Sequence, residues 1–524
     1  MKKKLLTLFL ALSLLVSLAL PFSVMADAPA ITLLKSDGSE AGAFETPAEA
    51  LRSAASKKLN NFTLRLEKDV TLTKTWLLNN TAAYRYTFDG NGKAIRMQSD
   101  DPATPEVNEE VKVAAVKIYG NNEASVTLKN LHVESHGNAV ECVAGTVRIE
   151  SGYYYSDSTV YATNAVLCRA DKTDATLKVE ILGGYFVRHY DGEEDAEAVI
   201  KFRNDMEANF HGIIYGGYFA AEGTVNFVIS VADYAKGDIY GGTFLTGYER
   251  GDIVISTGNS DATVAQVFGG NFIHAENGNR IFRNNNKGTR KCVMRVTGGN
   301  FIGAKMIFDD LGDDNQDIYH ADATKRTTLN ATAPLETLGA FVLLEQNTLG
   351  IGFEATLPEA TAAALRAIAD EGTDPRTGML ICNRDDLESV PYLSRDVLLA
   401  KGADYADISC KAKAPESGDP VYQAAIRGID RKHLDTQFAA IPYVAVTVNG
   451  CEVYYYGLWN EGQAFSMRLS GGSGANVCSP VGASVGASET VLPTVSPGSS
   501  VPGSCLHAQN SPATRQIRRN TESN

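Results

Sequence analysis

Cysteine is scarce in this chain, eight among 524 residues, too few for a disulfide-built scaffold. Positive charge is in deficit as well. Lysine and arginine number 48 against 62 aspartates and glutamates, and the formal charge of −14 withholds the basic footprint that nucleic acid or an anionic lipid surface requires. Beyond Ala26 no apolar run approaches bilayer-spanning length, so membrane insertion is not expected. Helical periodicity is nearly missing between about residues 137 and 310, which argues against a helical bundle there. No Ser nucleophile elbow stands between a strand pattern and a helix pattern, and no paired-cysteine motif occurs.

What the chain does carry begins with an address. Lys2, Lys3 and Lys4 precede an apolar stretch from Leu5 to Leu20, and Val24-Met25-Ala26 forms a small-residue cleavage site, so residues 1–26 read as an export signal. Cleavage would leave a chain starting near Asp27, secreted and soluble, with its formal charge moved from −14 to −17 by loss of three lysines. Neither a lipidated cysteine nor a wall-sorting motif is visible, which predicts an extracellular or loosely surface-associated protein.

Five times the chain writes Gly-Gly, a variable residue, then Phe: Gly183-Gly184-Tyr185-Phe186, Gly216-Gly217-Tyr218-Phe219, Gly241-Gly242-Thr243-Phe244, Gly269-Gly270-Asn271-Phe272 and Gly298-Gly299-Asn300-Phe301. Ser151-Gly152-Tyr153-Tyr154 is a degenerate sixth copy. Self-similarity at so nearly constant an interval marks a stack of coils, each completing its core on its neighbours. Within each repeat we read two short β-branched strands, the second running into the glycines. The glycines supply a sharp corner without a Cβ to strike the next coil. The phenylalanines read as an inward aromatic ladder, with a carbohydrate platform as the alternative. Asn138-Ala139-Val140-Glu141-Cys142 and Asn164-Ala165-Val166-Leu167-Cys168 are near copies, set about one repeat apart. Equivalent places on successive coils lie roughly 4.8 Å apart, within disulfide reach. A Cys142–Cys168 bridge and a stacked pair of reduced thiols both remain open.

Around this repeat, Thr46-Pro47-Ala48-Glu49 is a capping box opening a helix over residues 44–58, with Ala48, Leu51 and Ala55 on one face. Tyr86 to Gly92 is a strand entering a turn, and Val126 to Val133 a strand pair broken at Asn130. Residues 351–457 form a separate strand-rich module: strand 351–355, helix 358–369, strand 378–382, strand 422–429 and a hairpin around Asn449-Gly450. From about residue 470 to 524 the composition turns to Gly, Ser, Pro, Val and Ala without period, and reads as a disordered tail.

The capping helix followed by "LEKDVTLT", "YTFDGNGKAI" and "VTLKNLHVES" resembles the entry of right-handed parallel β-helix proteins of the pectate-lyase-like superfamily. The Gly-Gly repeats resemble those of secreted surface proteins of gut Gram-positive bacteria. Residues 351–457, through "IGFEATLP", "GMLICNRDDL" and "YVAVTVNG", are similar to a module of unknown function in such proteins. The resemblance implies an all-β fold: a right-handed parallel β-helix (solenoid) over residues 30–330 with an N-terminal capping helix, then a small α+β module.

Enzymes of that superfamily act on acidic polysaccharides, with carboxylate-bound Ca²⁺ and an Arg or Lys base, or with paired Asp acids. Asp313-Asp314 is the one tempting pair in the repeat region, and Asp309, Asp310, Asp313, Asp314 and Asp317 together are the candidate calcium ligands. The Arg-x-Lys and lyase motifs are missing, and His132, His189 and His274 read as solvated on outer turns. The expectation is therefore a non-catalytic β-solenoid binding glycan or cell-surface material, needing no cofactor beyond the candidate calcium. A degenerate lyase or glycoside hydrolase is the alternative, and a structural spacer or adhesin stalk a third. The candidate ligand-binding residues are Tyr153, Tyr155, Tyr185 and Tyr218, with Tyr154 and Tyr190 on the same flank. Oligomeric state stays open.

Overall fold

In the computed structural model, two long, largely parallel sheets make up the body and two smaller antiparallel sheets the C-terminal module. The structure describes residues 28–80, 83–97, 114–157, 163–192, 196–258, 262–286, 292–296, 298–309, 327–329, 336–345, 348–384, 394–400, 402–413, 419–430, 433–457, 464–469 and 476–480. The expected export signal therefore lies outside the described residues.

Within the body, the chain visits three parallel ladders in turn. The first ladder runs through Asn61–Leu66, Arg85–Asp89, Ser125–Lys129, Gly145–Ile149, Thr176–Ile181, Asn209–Ile214, Lys236–Ile239, Val264–Val267 and Val293–Val296, and the antiparallel strands Ile31–Lys35 and Glu40–Phe44 complete its sheet at the N-terminal edge. The second holds Ala94–Met97, Leu131–Ser135, Gly152–Ser156, Tyr185–Tyr190, Tyr218–Gly223 and Thr243–Thr246, and the third includes Asn138–Cys142, Val166–Arg169, Ala196–Arg203, Val225–Ala232 and Asp252–Gly258. Two long strands, Asn271–Asn286 and Gly299–Asp309, run through both the second and third ladders. Each circuit thus supplies three strands, compatible with a parallel β-helix. The sequence showed two of the three. The third starts on the motif itself, where the residues after the glycine corner resume an extended strand.

Side-chain rows follow from this register. On the first ladder Leu64, Phe88, Leu128, Ile149, Ile181, Ile214, Ile239, Val267 and Val296 occupy one inward line. On the second, Tyr154, Phe186, Phe219, Phe244 and Phe272 stack at centroid spacings of 4.8–4.9 Å and interplanar angles of 7–10°. All five rings are fully buried, so the motif's phenylalanine is a core ladder rather than a platform. Its last rung, Phe301, tilts by 33° at 5.6 Å.

Helix α1 (Pro47–Ser56) closes the N-terminal end. The Thr46 hydroxyl accepts from the Glu49 N–H at 3.3 Å, while the Glu49 carboxylate accepts from the Glu45 N–H. Its buried face is Pro47, Ala50, Leu51 and Ala54, so of the expected stripe only Leu51 points inward and Ala48 and Ala55 face solvent. The covered face follows the i, i+3, i+4, i+7 spacing counted from the N1 proline.

The module extends past its expected limits. Glu336–Glu345 pairs with Thr348–Thr356 in its four-stranded sheet, and Ala464–Leu469 with Asn476–Pro480 in its six-stranded one, so ordered pairing continues beyond residue 470. Helix α2 (Glu359–Ile368) and the hairpin of Gln437–Val448 with Cys451–Tyr456 match the sequence reading. Asn449 and Gly450 carry the hairpin turn at φ +51° and +78°. A short helix α3 (Arg395–Ala400) was not anticipated. No helix among the described residues is long and apolar enough to cross a membrane.

Candidate functional site

The variable residue of Gly-Gly-x-Phe sits next to an inward phenylalanine, and strand alternation therefore turns it outward. Tyr153, Tyr185, Tyr218, Thr243, Asn271 and Asn300 form this outer row in register. It begins as aromatic and ends as amide, with Asn300 donating to Asn271 at 3.0 Å.

The aromatic half of the row is not free surface. Tyr185 and Tyr218 are 6% and 3% exposed, packed with Val187 and Ala220 against Leu380, Val397, Leu398, Ile441 and Tyr443 of the C-terminal module. The module is held at the glycine corners. Asp396 on α3 accepts the Gly184 N–H at 3.0 Å and the Gly152 N–H at 3.4 Å. Val453 lies where a Cβ on Gly216 would come within 3.0 Å of it, and the Tyr455 ring occupies the space a Cβ on Gly241 would need. At the hairpin tip, Arg148 donates to the Asn449 carbonyl at 3.1 Å and the Cys451 thiol to Glu150 at 2.9 Å. Burial pushes the Asp396 carboxyl up to about 6, against the pull of the two glycine N–H groups.

Four predicted ligand-binding tyrosines therefore divide into two pairs. Tyr185 and Tyr218 lie under the module, whereas Tyr153 and Tyr155 remain partly exposed at its margin. Tyr154 is a rung of the core ladder, and Tyr190 is buried beside the Arg188 guanidinium, 5.3 Å from its ring centroid. Outward orientation was legible in the sequence. Covering by a segment so distant along the chain was not.

Beside the exposed pair lies a polar ledge built from separate turns of the chain. Arg96 pairs with Glu134 at 2.9 Å and with Asp69 at 3.3 Å, and His132 Nε2 lies 2.6 Å from Glu134. The His132 ring meets Tyr153 edge-on at 4.9 Å, and Tyr153 in turn lies 6.0 Å from Tyr155. A third line alternates imidazole and carboxylate: His136 lies 2.6 Å from Asp157, and His189 lies 2.9 Å from Asp191 and 3.5 Å from Glu222. Modest desolvation of Arg96 is outweighed by hydrogen bonding to Asp69 and by the Glu134 charge, so its guanidinium stays protonated and is no base. Burial, with the Asp157 and Glu222 charges behind it, pushes the Tyr155 hydroxyl up to about 12 and keeps it a hydrogen-bond donor. Ring faces beside paired donors and acceptors suit a polyhydroxylated ligand.

A second aromatic file, Tyr215, Tyr240 and Phe268, stacks at 5.4 and 4.7 Å on the outer face of the first ladder. Its rings face one another along the stack, and Tyr215 packs with Val453 and Tyr455 of the module, which is poor geometry for receiving a flat ligand.

The remaining expectations fall as follows. Asp309 closes the strand Gly299–Asp309, while Asp310, Asp313, Asp314 and Asp317 lie outside the described residues. Among the described residues no three His, Cys, Asp or Glu side chains are grouped to hold a metal ion. Cys142 and Cys168 are paired in register as expected, and both thiols are free and buried. His274 is not solvated on an outer turn: it is 3% exposed, with Nε2 2.8 Å from the Gly251 carbonyl, because the Asn271–Asn286 strand carries it past the corner. No known protein family, curated protein or solved structure matches the chain.

Proposed function

We propose that this chain is a secreted, non-catalytic glycan-binding protein built on a right-handed parallel β-helix of the pectate-lyase-like type, and that it binds at the ledge of Arg96, His132, Glu134, Tyr153 and Tyr155. One observation carries the reading. After the module has covered Tyr185 and Tyr218, the tyrosines of this flank that keep exposure, Tyr153 and Tyr155, adjoin side chains able to fork onto neighbouring sugar hydroxyls. The rigid stack supports such a site by fixing these side chains on strands rather than on loops. Charge-paired Arg96, committed to two carboxylates, favours recognition over proton abstraction.

A glycan array followed by calorimetry on the best ligand tests this. Tyr155→Ala and Glu134→Gln should each weaken binding by about tenfold, the scale of one or two lost charge-assisted hydrogen bonds or a lost ring face. Unchanged affinity in both variants would remove the ledge from consideration. Release of shortened or unsaturated sugar by the wild type would replace binding with turnover.

A further inference from the structure

We infer that the ledge selects amine-bearing glycans over neutral ones and turns polyuronates away. This inference rests on the glycan-binding reading above and adds the charge of the ligand to it.

The argument is one of local charge. Asp69, Glu134, Asp157, Asp191 and Glu222 all lie on the outer face along the second ladder, and each keeps a solvent-exposed fraction of its side chain. Among the described residues Arg96 is the one lysine or arginine in a salt bridge with any of them, and two carboxylates already share it. Arg188, whose charge also reaches Asp157, is fully buried and donates to the Thr163 and Ser156 carbonyls, so it offers a ligand nothing. The patch is continuous: successive strands of this ladder are in register from Arg96 through Glu134 to Tyr155, and His189 pairs directly with Glu222. The Tyr153 and Tyr155 hydroxyls both feel the Glu134 and Glu222 charges, so the aromatic pair sits inside one negative field. A ring laid on these tyrosines brings its substituents among carboxylates that outnumber the cations facing them. An ammonium finds partners there. A uronate meets like charges there, and the net negative charge of the chain, −14 over the whole sequence and more negative without Lys2, Lys3 and Lys4, adds repulsion at long range.

The test uses the full-length secreted protein and three oligomers of matched length: a deacetylated chito-oligosaccharide, its N-acetylated neutral counterpart, and an oligogalacturonate. We expect affinity in that order, with about tenfold between the first and second, and weakening of the amine-bearing oligomer as salt rises from about 0.05 to 0.5 M. Glu134→Gln with Asp157→Asn should cut the amine preference to about threefold or less. Glu123→Gln with Glu371→Gln, exposed acids off the ledge, should leave it intact and so separate the site from general charge attraction. Circular dichroism confirms that both double variants are folded. Equal or tighter binding of the oligogalacturonate would overturn the charge inference while leaving the glycan reading in place. An amine preference unaffected by the ledge variants overturns it too. Failure of all three oligomers to bind would bring down the glycan reading, and the charge inference with it.

Discussion

Phe219→Ala tests the body at its most exacting point. Its ring is fully buried between Phe186 at 4.9 Å and Phe244 at 4.8 Å, nearly parallel to both. Truncating a buried phenylalanine costs about 3–5 kcal/mol through lost transfer energy and the cavity left behind. Two stacked partners add about 0.5–1.5 kcal/mol each beyond area, and partial collapse of the neighbouring rings offsets some of this. A net loss of about 4–6 kcal/mol is expected. Phe219→Leu, which keeps most of the volume and loses the stacking, should cost about 1–2 kcal/mol. Phe268→Ala removes a ring 37% exposed with one stacked neighbour, and should cost about 1 kcal/mol. Urea unfolding gives the global values. Hydrogen exchange localises the effect, because a stack coupled through nearest neighbours opens first at the damaged turn, here residues 209–246. If Phe219→Ala and Phe268→Ala cost the same, the ladder does not hold the turns together and the reasoning fails.

Three further outcomes can be checked. The Asp396 carboxyl is raised to about 6 from 3.8, so its contribution to module seating is full below about pH 3.8 and is lost as pH rises through 6. Allowing for the partial exposure of this residue, protease protection of the module should weaken by about 1–2 kcal/mol between pH 5 and 8, and Asp396→Asn should flatten that dependence. Gly241→Ala should loosen exchange of residues 437–456 more than Gly269→Ala does, because both press on the preceding turn but only Gly241 faces Tyr455. Cys142 and Cys168 should resist alkylation in the native protein and both react in denaturant without reductant; failure of both to react until reductant is added would show a bridge instead.

How much was legible follows from where each signal lies in the chain. The aromatic ladder could be read because one turn writes one phenylalanine, and the period survives loops of differing length. The Asn130 break and the Asn449-Gly450 hairpin were visible because αL backbone demands particular residues locally. The ledge was not visible. Arg96 and Glu134 are 38 residues apart and meet only through the pairing of Ala94–Met97 with Leu131–Ser135. No local pattern marks that register, since the intervening loops carry no copy of the motif. The buried state of Tyr185 and Tyr218 escaped for a related reason: a strand pattern fixes which face a side chain takes, not what lies on that face.

The glycine corners also make a ruler. Asp396, Val453 and Tyr455 engage the corners at Gly184, Gly216 and Gly241, three successive turns each advancing by one strand spacing, about 4.8 Å. Deleting or inserting a whole turn between residues 184 and 241 would preserve every rule of the repeat and still throw the module off its marks. Turns added beyond Gly299 would lengthen the rod and leave the seat untouched. The module therefore fixes the count of turns between the corners it engages, and turns outside that interval escape the constraint.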